Sequence, residues 1–117
     1  MNRLKAAICF AFVVFAATAC LNSSPKGFVI AGSKEYGASI FRQRCAICHG
    51  AEGHGKTLDN GTKVPSLREG EFKAVTRPQI YKQIADGGNG MVPFRDQLTD
   101  RELNLMAQFV YKDLRGQ

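Results

Sequence analysis

Two cysteines and a histidine lie within five consecutive residues of this chain, in the segment Cys45-Ala46-Ile47-Cys48-His49. This feature constrains the fold because the chain has only 117 residues. A domain of that size buries a modest fraction of its surface and usually needs a disulfide, a metal or a bound cofactor for stability. The length also excludes a multidomain enzyme and a large doubly wound sheet.

The spacing of this segment favours covalent attachment of a haem. Two thiols three positions apart can form thioethers with the two vinyl groups of one haem, and the histidine that follows can offer a neutral imidazole nitrogen to the iron. Two other interpretations remain open. A redox disulfide would not need His49, and a structural zinc site would need a fourth ligand and usually a second Cys or His pair. The other histidine, His54, is interpreted as a solvated loop residue.

The first predicted helix leads into this segment. Ser33 can cap a helix over residues 34–46, and Tyr36, Ile40 and Phe41 would then share one face. The Cys/His segment would lie where this helix ends, before a glycine-rich stretch.

Two further helices are predicted from their start signals. Thr76 is a capping residue, Pro78 lies in the following turn, and this second helix would stop at Gly87. Thr99 and Glu102 form a capping box for a third helix. Its apolar stripe consists of Leu103, Met106, Val110 and Leu114. No alternating strand pattern of useful length is present, so the sequence predicts an all-α fold.

The first 19 residues are typical of an export signal. Arg3 and Lys5 precede an uncharged, largely apolar run over residues 6–19, which is shorter than the roughly 20 residues that span a bilayer. Ala17-Thr18-Ala19 supplies a small-residue cleavage site. The alternatives are a buried helix of the mature fold or an uncleaved anchor. We predict cleavage after residue 19 and export from the cytoplasm.

Cys20 follows the cleavage site directly, and the segment resembles a bacterial lipoprotein signal, in which that cysteine is lipidated. Ala17 departs from the pattern, since such signals usually carry Leu there. Ordinary cleavage would instead leave an unpaired thiol in an oxidising compartment. We therefore expect a signal peptide over residues 1–19, a lipidated cysteine and flexible tether over 20–32, and one domain over 33–117. The free tether would reach about 20 Å, less if Phe28-Val29-Ile30 packs on the domain.

The charge of the chain gives little indication of a nucleic-acid partner. The formal net charge is +6, and it falls to +4 when Arg3 and Lys5 leave with the signal, which contains no acidic residue. A mild excess without a Lys/Arg run is poor support for nucleic-acid binding. We expect no nucleic acid among the partners.

Residues 33–115 resemble a class I monohaem cytochrome c of the short bacterial kind. The resemblance rests on a helix leading into Cys45-Ala46-Ile47-Cys48-His49, on the Gly-rich, Met-bearing stretch over residues 84–94, and on a last helix with Phe109 and Tyr111 near its end. It implies three main helices packed around one covalently bound haem c. Val92 departs from the family loop, which more often reads Met-Pro.

The resemblance implies that Cys45 and Cys48 bind the haem covalently and that His49 and Met91 bind its iron. Met91 follows a glycine-rich stretch that lets the backbone pass close to a flat cofactor. Met106 lies on the apolar stripe of the third helix, where core packing is the natural role. The alternative for Met91 is a side chain that fills the core near the loop.

The resemblance further implies a supporting shell around the haem. Pro65 matches a proline whose carbonyl accepts a hydrogen bond from the unligated nitrogen of the haem histidine, although it also fits an ordinary turn. Leu67, Ile84 and Phe94 could pack on the haem or belong to the general core. Gly37 and Phe41 against Phe109 match the family's helix crossing.

The function implied by the resemblance is one-electron transfer in a respiratory or related redox chain, without enzymatic activity. Donor and acceptor proteins would be the partners of a monomer held at the periplasmic side of a bacterial membrane. One alternative is a fixed cytochrome c subunit of a larger oxidoreductase complex. Another is a haem enzyme or gas sensor with an open sixth iron position, against which the Met91 loop argues.

Overall fold

Three helical segments dominate the described part of the chain, which in this computed structural model is residues 27–117. The elements are α1 (Tyr36–Ile40), π1 (Phe41–Cys45), α2 (Ala46–His49), β1 (Lys56–Thr57), β2 (Lys63–Val64), α3 (Arg77–Asp86), α4 (Asp100–Gln108) and π2 (Phe109–Leu114). The mostly helical architecture confirms the predicted all-α class. The predicted signal peptide, Cys20 and most of the predicted tether lie outside the described residues.

The N-terminal helix is continuous from residue 36 to residue 49, with the wider π winding in its middle. It does not start where the sequence predicted. Ser33 Oγ accepts a hydrogen bond from the backbone N–H of Glu35 at 3.1 Å, and Glu35 occupies the N-cap position. Tyr36 is 60% exposed, whereas Ile40 and Phe41 are buried. The predicted apolar face is therefore wrong at Tyr36 and confirmed at the other two residues.

Both later helices begin with reciprocal caps. Thr99 Oγ1 accepts from the N–H of Glu102 at 3.3 Å, and the Glu102 carboxylate accepts from the N–H of Thr99 at 2.8 Å. Thr76 forms the same arrangement with Gln79, a partner that the sequence analysis did not identify. The two caps satisfy backbone donors that a helix start leaves free, so the predicted helix starts are confirmed.

The N-terminal helix crosses the C-terminal helix, which consists of α4 and π2, where Gly37 contacts the ring of Phe109. A Cβ on Gly37 would lie 3.0 Å from Cδ2 of Phe109, and the rings of Phe41 and Phe109 are 6.1 Å apart. Phe28 packs edge-on against Phe109 from the other side, with ring centroids 5.2 Å apart. The predicted crossing is confirmed. The predicted apolar stripe is also buried at all four positions, Leu103, Met106, Val110 and Leu114.

Residues 28–33 form a strap that packs on the helices. Ile30 is fully buried. The Glu52 carboxylate accepts from the N–H of Ile30 at 2.7 Å, while Arg42 Nη1 donates to the Ile30 carbonyl at 2.6 Å. Arg68 Nη2 donates to the carbonyl of Phe28 at 2.7 Å. The packed part of the chain therefore begins at Phe28, before the predicted domain start at residue 33.

A small antiparallel hairpin departs from the purely helical expectation. Lys56 pairs with Val64 and Thr57 pairs with Lys63. Strands of two residues are too short to produce an alternating sequence pattern, so they could not be predicted from the sequence. Within residues 27–117, no helix has the length and apolar character needed to cross a membrane.

Candidate haem site

Cys45 and Cys48 lie in the last turns of the N-terminal helix, and neither thiol is in a disulfide within residues 27–117. Cys45 is half-buried, and Cys48 is exposed. Burial raises the pKa of the Cys45 thiol to about 11, with a further contribution from neighbouring Cys48. Both thiols are thus free within one helical turn, one facing the interior and one at the surface.

His49 is the last residue of the same helix. Its Nδ1 atom is buried without a hydrogen-bond partner among the described residues. Burial lowers the pKa of the imidazole and so favours the neutral form, which is the form that binds a metal. A buried polar atom left unpaired costs about 1–3 kcal/mol. Free thiols beside a neutral, half-buried imidazole are a donor set that fits a covalently attached haem.

The predicted hydrogen bond from His49 to the Pro65 carbonyl is not formed in this structure. The Nδ1 atom of His49 has no hydrogen-bond partner within residues 27–117. The Pro65 segment nevertheless borders the loop that follows the histidine. The N–H of Gly55 donates to the His49 carbonyl at 2.8 Å. A Cβ on Gly55 would lie 2.3 Å from the Val64 carbonyl oxygen and 2.9 Å from that of Pro65. The backbone of residues 64 and 65 therefore packs directly on the His49 loop.

Met91 follows a tight turn after α3. Gly88 and Met91 exchange two backbone hydrogen bonds, of 2.9 and 3.0 Å. Between them, Asn89 and Gly90 have φ values of 53° and 85°. Positive φ at both central residues is typical of an Asn-Gly hairpin turn. The Asn-Gly pair was a readable signal for this turn that the sequence analysis did not use.

The two methionines have different environments. Met91 is half-buried and packs against the edge of the core. Met106 is 1% exposed and lies inside the core, which confirms its predicted packing role. Ile84 and Phe94 are buried in the same core, and Leu67 packs against it.

His54 is exposed, as the sequence predicted.

No three His, Cys, Asp or Glu residues within residues 27–117 come together in a way that could hold a metal ion.

Sequence reasoning missed the polar side chains that hold the loops around this site. Arg115 donates to the carbonyls of Leu67 at 3.2 Å and Ala74 at 2.6 Å, and its guanidinium lies 3.6 Å from the ring centroid of Phe72. Gln83 holds the turn before Met91 in a similar way. Their partners are mostly backbone carbonyls, which exist at every residue and leave no sequence signal.

Comparison with known proteins identifies the family. The chain matches the family described as cytochrome C oxidase, cbb3-type, subunit III over residues 32–110. It is 34% identical over 85 residues to the cbb3-type cytochrome c oxidase subunit FixP of Sinorhizobium medicae, covering 63% of this chain and 28% of FixP. It is 31% identical over 80 residues to the chloroplastic cytochrome c6 of Chlamydomonas reinhardtii, covering 65% of this chain and 51% of that protein.

Cytochrome c6 of Synechococcus elongatus is 30% identical over 74 residues, covering 63% of this chain and 83% of that protein. No solved structure matches at a comparable level of significance. The chain belongs to this cytochrome c family, and its fold is that of a class I monohaem cytochrome c. Membership implies a covalently bound haem c with its iron. The chain spans about a quarter of FixP and half of the Chlamydomonas protein.

Proposed function

We propose that this protein is a one-electron carrier in a respiratory or related redox chain. Cys45 and Cys48 would bind the haem through thioethers, and His49 and Met91 would bind its iron. The observation that carries this proposal is His49 itself. It ends a helix whose last turns hold two free thiols, and burial lowers the pKa of its imidazole, which favours the neutral form that binds a metal.

The protein residues have defined roles in this proposal. A bound haem would supply an iron that gains and loses one electron. His49 offers a neutral nitrogen donor, because burial lowers its pKa, and Met91 offers a soft thioether. A His/Met pair raises the reduction potential relative to many other axial ligand sets. No substrate bond is broken, so the protein works as a carrier between a donor and an acceptor protein.

The test is the reduced-minus-oxidised spectrum of the exported protein together with its intact mass. We expect the spectrum of a c-type cytochrome and a mass increase of one haem that survives acid–acetone extraction. Haem released cleanly by that extraction would contradict covalent attachment. Loss of covalent haem in Cys45→Ala/Cys48→Ala, with retention in a Cys20→Ser control, would support assignment to Cys45 and Cys48.

We further propose export by the signal over residues 1–19 and attachment to a membrane through a lipid on Cys20. Because the strap begins at residue 28, the free tether would comprise residues 21–27, with a reach of about 15 Å. Such a tether would hold the domain close to the periplasmic surface of the membrane. Cys20→Ser should move the protein from the membrane to the soluble fraction, and a soluble wild-type protein with unmodified Cys20 would contradict the proposal.

A second candidate function is that of a fixed cytochrome c subunit in a larger oxidoreductase complex. It is supported by the match to the cbb3-type oxidase subunit family and by the similarity to FixP. A separable carrier should purify as a monomer and exchange electrons with several partners. A fixed subunit should instead co-purify with one complex under mild detergent conditions.

A further inference from the structure

The side chain of Gln83 on α3 holds three consecutive residues of the turn before Met91. Its Nε2 donates to the carbonyl oxygens of Gly87 at 3.1 Å and Gly88 at 3.0 Å. Its Oε1 accepts from Nδ2 of Asn89 at 3.3 Å. Both amide hydrogens and the amide oxygen are therefore used on this one turn.

The backbone that Gln83 holds is unfavourable by itself. Gly87, Gly88, Asn89 and Gly90 have φ values of 69°, 103°, 53° and 85°. The left-handed region costs a non-glycine residue about 1–2 kcal/mol, and glycine loses more conformational freedom than any other residue when it is fixed. A turn with three glycines has little conformational restriction of its own, so the hydrogen bonds from Gln83 help to hold it in one conformation.

The held turn leads directly to Met91. Gly88 exchanges two backbone hydrogen bonds with Met91. The backbone of Gly87 also lies close to Met91: a Cβ on Gly87 would be 2.6 Å from the Met91 carbonyl oxygen. The other end of the connection is rigid, since Ile80 and Ile84 fix α3 in the core. Gln83 thus links a buried helix to the backbone of Met91.

We infer that Gln83 is a positioning residue for Met91. By donating to two successive carbonyls, it keeps the turn in the conformation that presents the Met91 thioether. This inference rests on the proposed iron ligation by Met91.

The test compares Gln83→Glu with Gln79→Glu in the haem-loaded full-length protein. Glu keeps the length of Gln and a similar helix propensity. At position 83 it removes both amide donors and places a carboxylate oxygen against two carbonyls. Gln79 serves the helix cap as an acceptor, a role that a carboxylate retains. The control therefore makes the same charge change one turn away without breaking its bonds.

Three measurements report on Met91: the weak sulfur-to-iron charge-transfer band, cyanide affinity of the oxidised protein, and hydrogen exchange of the Met91 amide. In Gln83→Glu we expect a weaker band, faster exchange and cyanide binding about tenfold tighter, as the loss of two hydrogen bonds suggests. Gln79→Glu should stay within about twofold of the wild type. Wild-type values of all three in Gln83→Glu would overturn the inference.

Met91→Ala distinguishes this failure from failure of the ligand assignment. If Met91→Ala loses the band while Gln83→Glu matches the wild type, the role of Gln83 is wrong and the ligation proposal stands. If Met91→Ala retains the band, the ligand assignment fails, and the inference about Gln83 fails with it. Should Gln83→Glu not incorporate haem, Gln83→Leu removes the same donors without adding charge, and the same three measurements decide.

Discussion

The phenol of Tyr36 donates a hydrogen bond to Oε1 of Glu102, joining the first turns of the N-terminal helix and α4 across 66 positions of sequence. The bond raises the pKa of Tyr36 and lowers the pKa of Glu102. Glu102 also accepts from the N–H of Thr99 in the α4 cap. The Glu102 carboxylate therefore both caps α4 and connects α4 to the N-terminal helix.

Tyr36→Phe should lower thermal stability slightly, because it removes the hydrogen bond to Glu102 and leaves the cap between Glu102 and Thr99 intact. Glu102→Ala should lower stability more, since both the link and the cap are lost. The measurement is the melting temperature of the haem-loaded protein for both variants and the double variant. Equal effects of Tyr36→Phe in the wild-type and Glu102→Ala backgrounds would show that the bond contributes nothing.

Gly55→Ala should strongly destabilise the packing of residues 64 and 65 on the His49 loop. A methyl group there would meet the Val64 carbonyl at 2.3 Å, and backbone atoms can relieve that clash only by moving apart. Gly61→Ala is the matched control, because Gly61 has a similar φ of 83° with nothing within 4 Å. We expect the control to lose about 1–2 kcal/mol and Gly55→Ala to lose clearly more. Urea unfolding of both variants measures the difference, and equal losses would contradict it.

Asp86 should make stability depend on pH in the acidic range. Hydrogen bonds from Lys82 and Arg95 hold the pKa of this carboxyl at about 2, below its ordinary value of 3.8. A depressed folded-state pKa contributes stability that is present above the ordinary value and is lost as the pH falls through about 2. The contribution is small because the ion pairs are exposed.

Asp86→Asn should therefore lower the unfolding free energy near neutral pH and flatten its dependence on pH below about 4. Asp96→Asn is the charge-matched control, because within residues 27–117 Asp96 makes no side-chain hydrogen bond or ion pair. Urea unfolding across this pH range compares the two. A control with the same flattening would show that net charge, and not the Asp86 pairs, is responsible.

Met91→Ala and Met106→Ala should separate ligation from packing. Met91→Ala should abolish the sulfur-to-iron charge-transfer band, open the iron to cyanide and lower the reduction potential. Met106→Ala should keep the band and lose about 2–5 kcal/mol of stability, because Met106 is buried in the core. Spectroscopy, potentiometry and urea unfolding of the two variants measure these effects. A folded Met106→Ala protein without the band would refute the assignment to Met91.

Local signals in the sequence determined the starts of α3 and α4 and the spacing of the Cys/His segment. The caps at Thr76 and Thr99 act within four residues, and the apolar stripe of the C-terminal helix repeats with the helical period. Cys45, Cys48 and His49 are close in space simply because they are close in sequence. Such features are fixed by spacing alone, so a single sequence was enough to predict them.

The tertiary structure decided what depends on distant partners. Ser33 fits a helix cap by sequence, yet residues 28–33 pack as a strap on Glu52, Arg42 and Arg68, and the helix starts later. The burial of His49 Nδ1 likewise depends on how separate segments meet. The contacts of Gln83 are local, with the carbonyls of Gly87 and Gly88 only four and five residues away, but they depend on how the chain turns after α3. Long polar side chains that bind backbone carbonyls carry no periodicity or spacing, so only the folded chain reveals which carbonyls they reach.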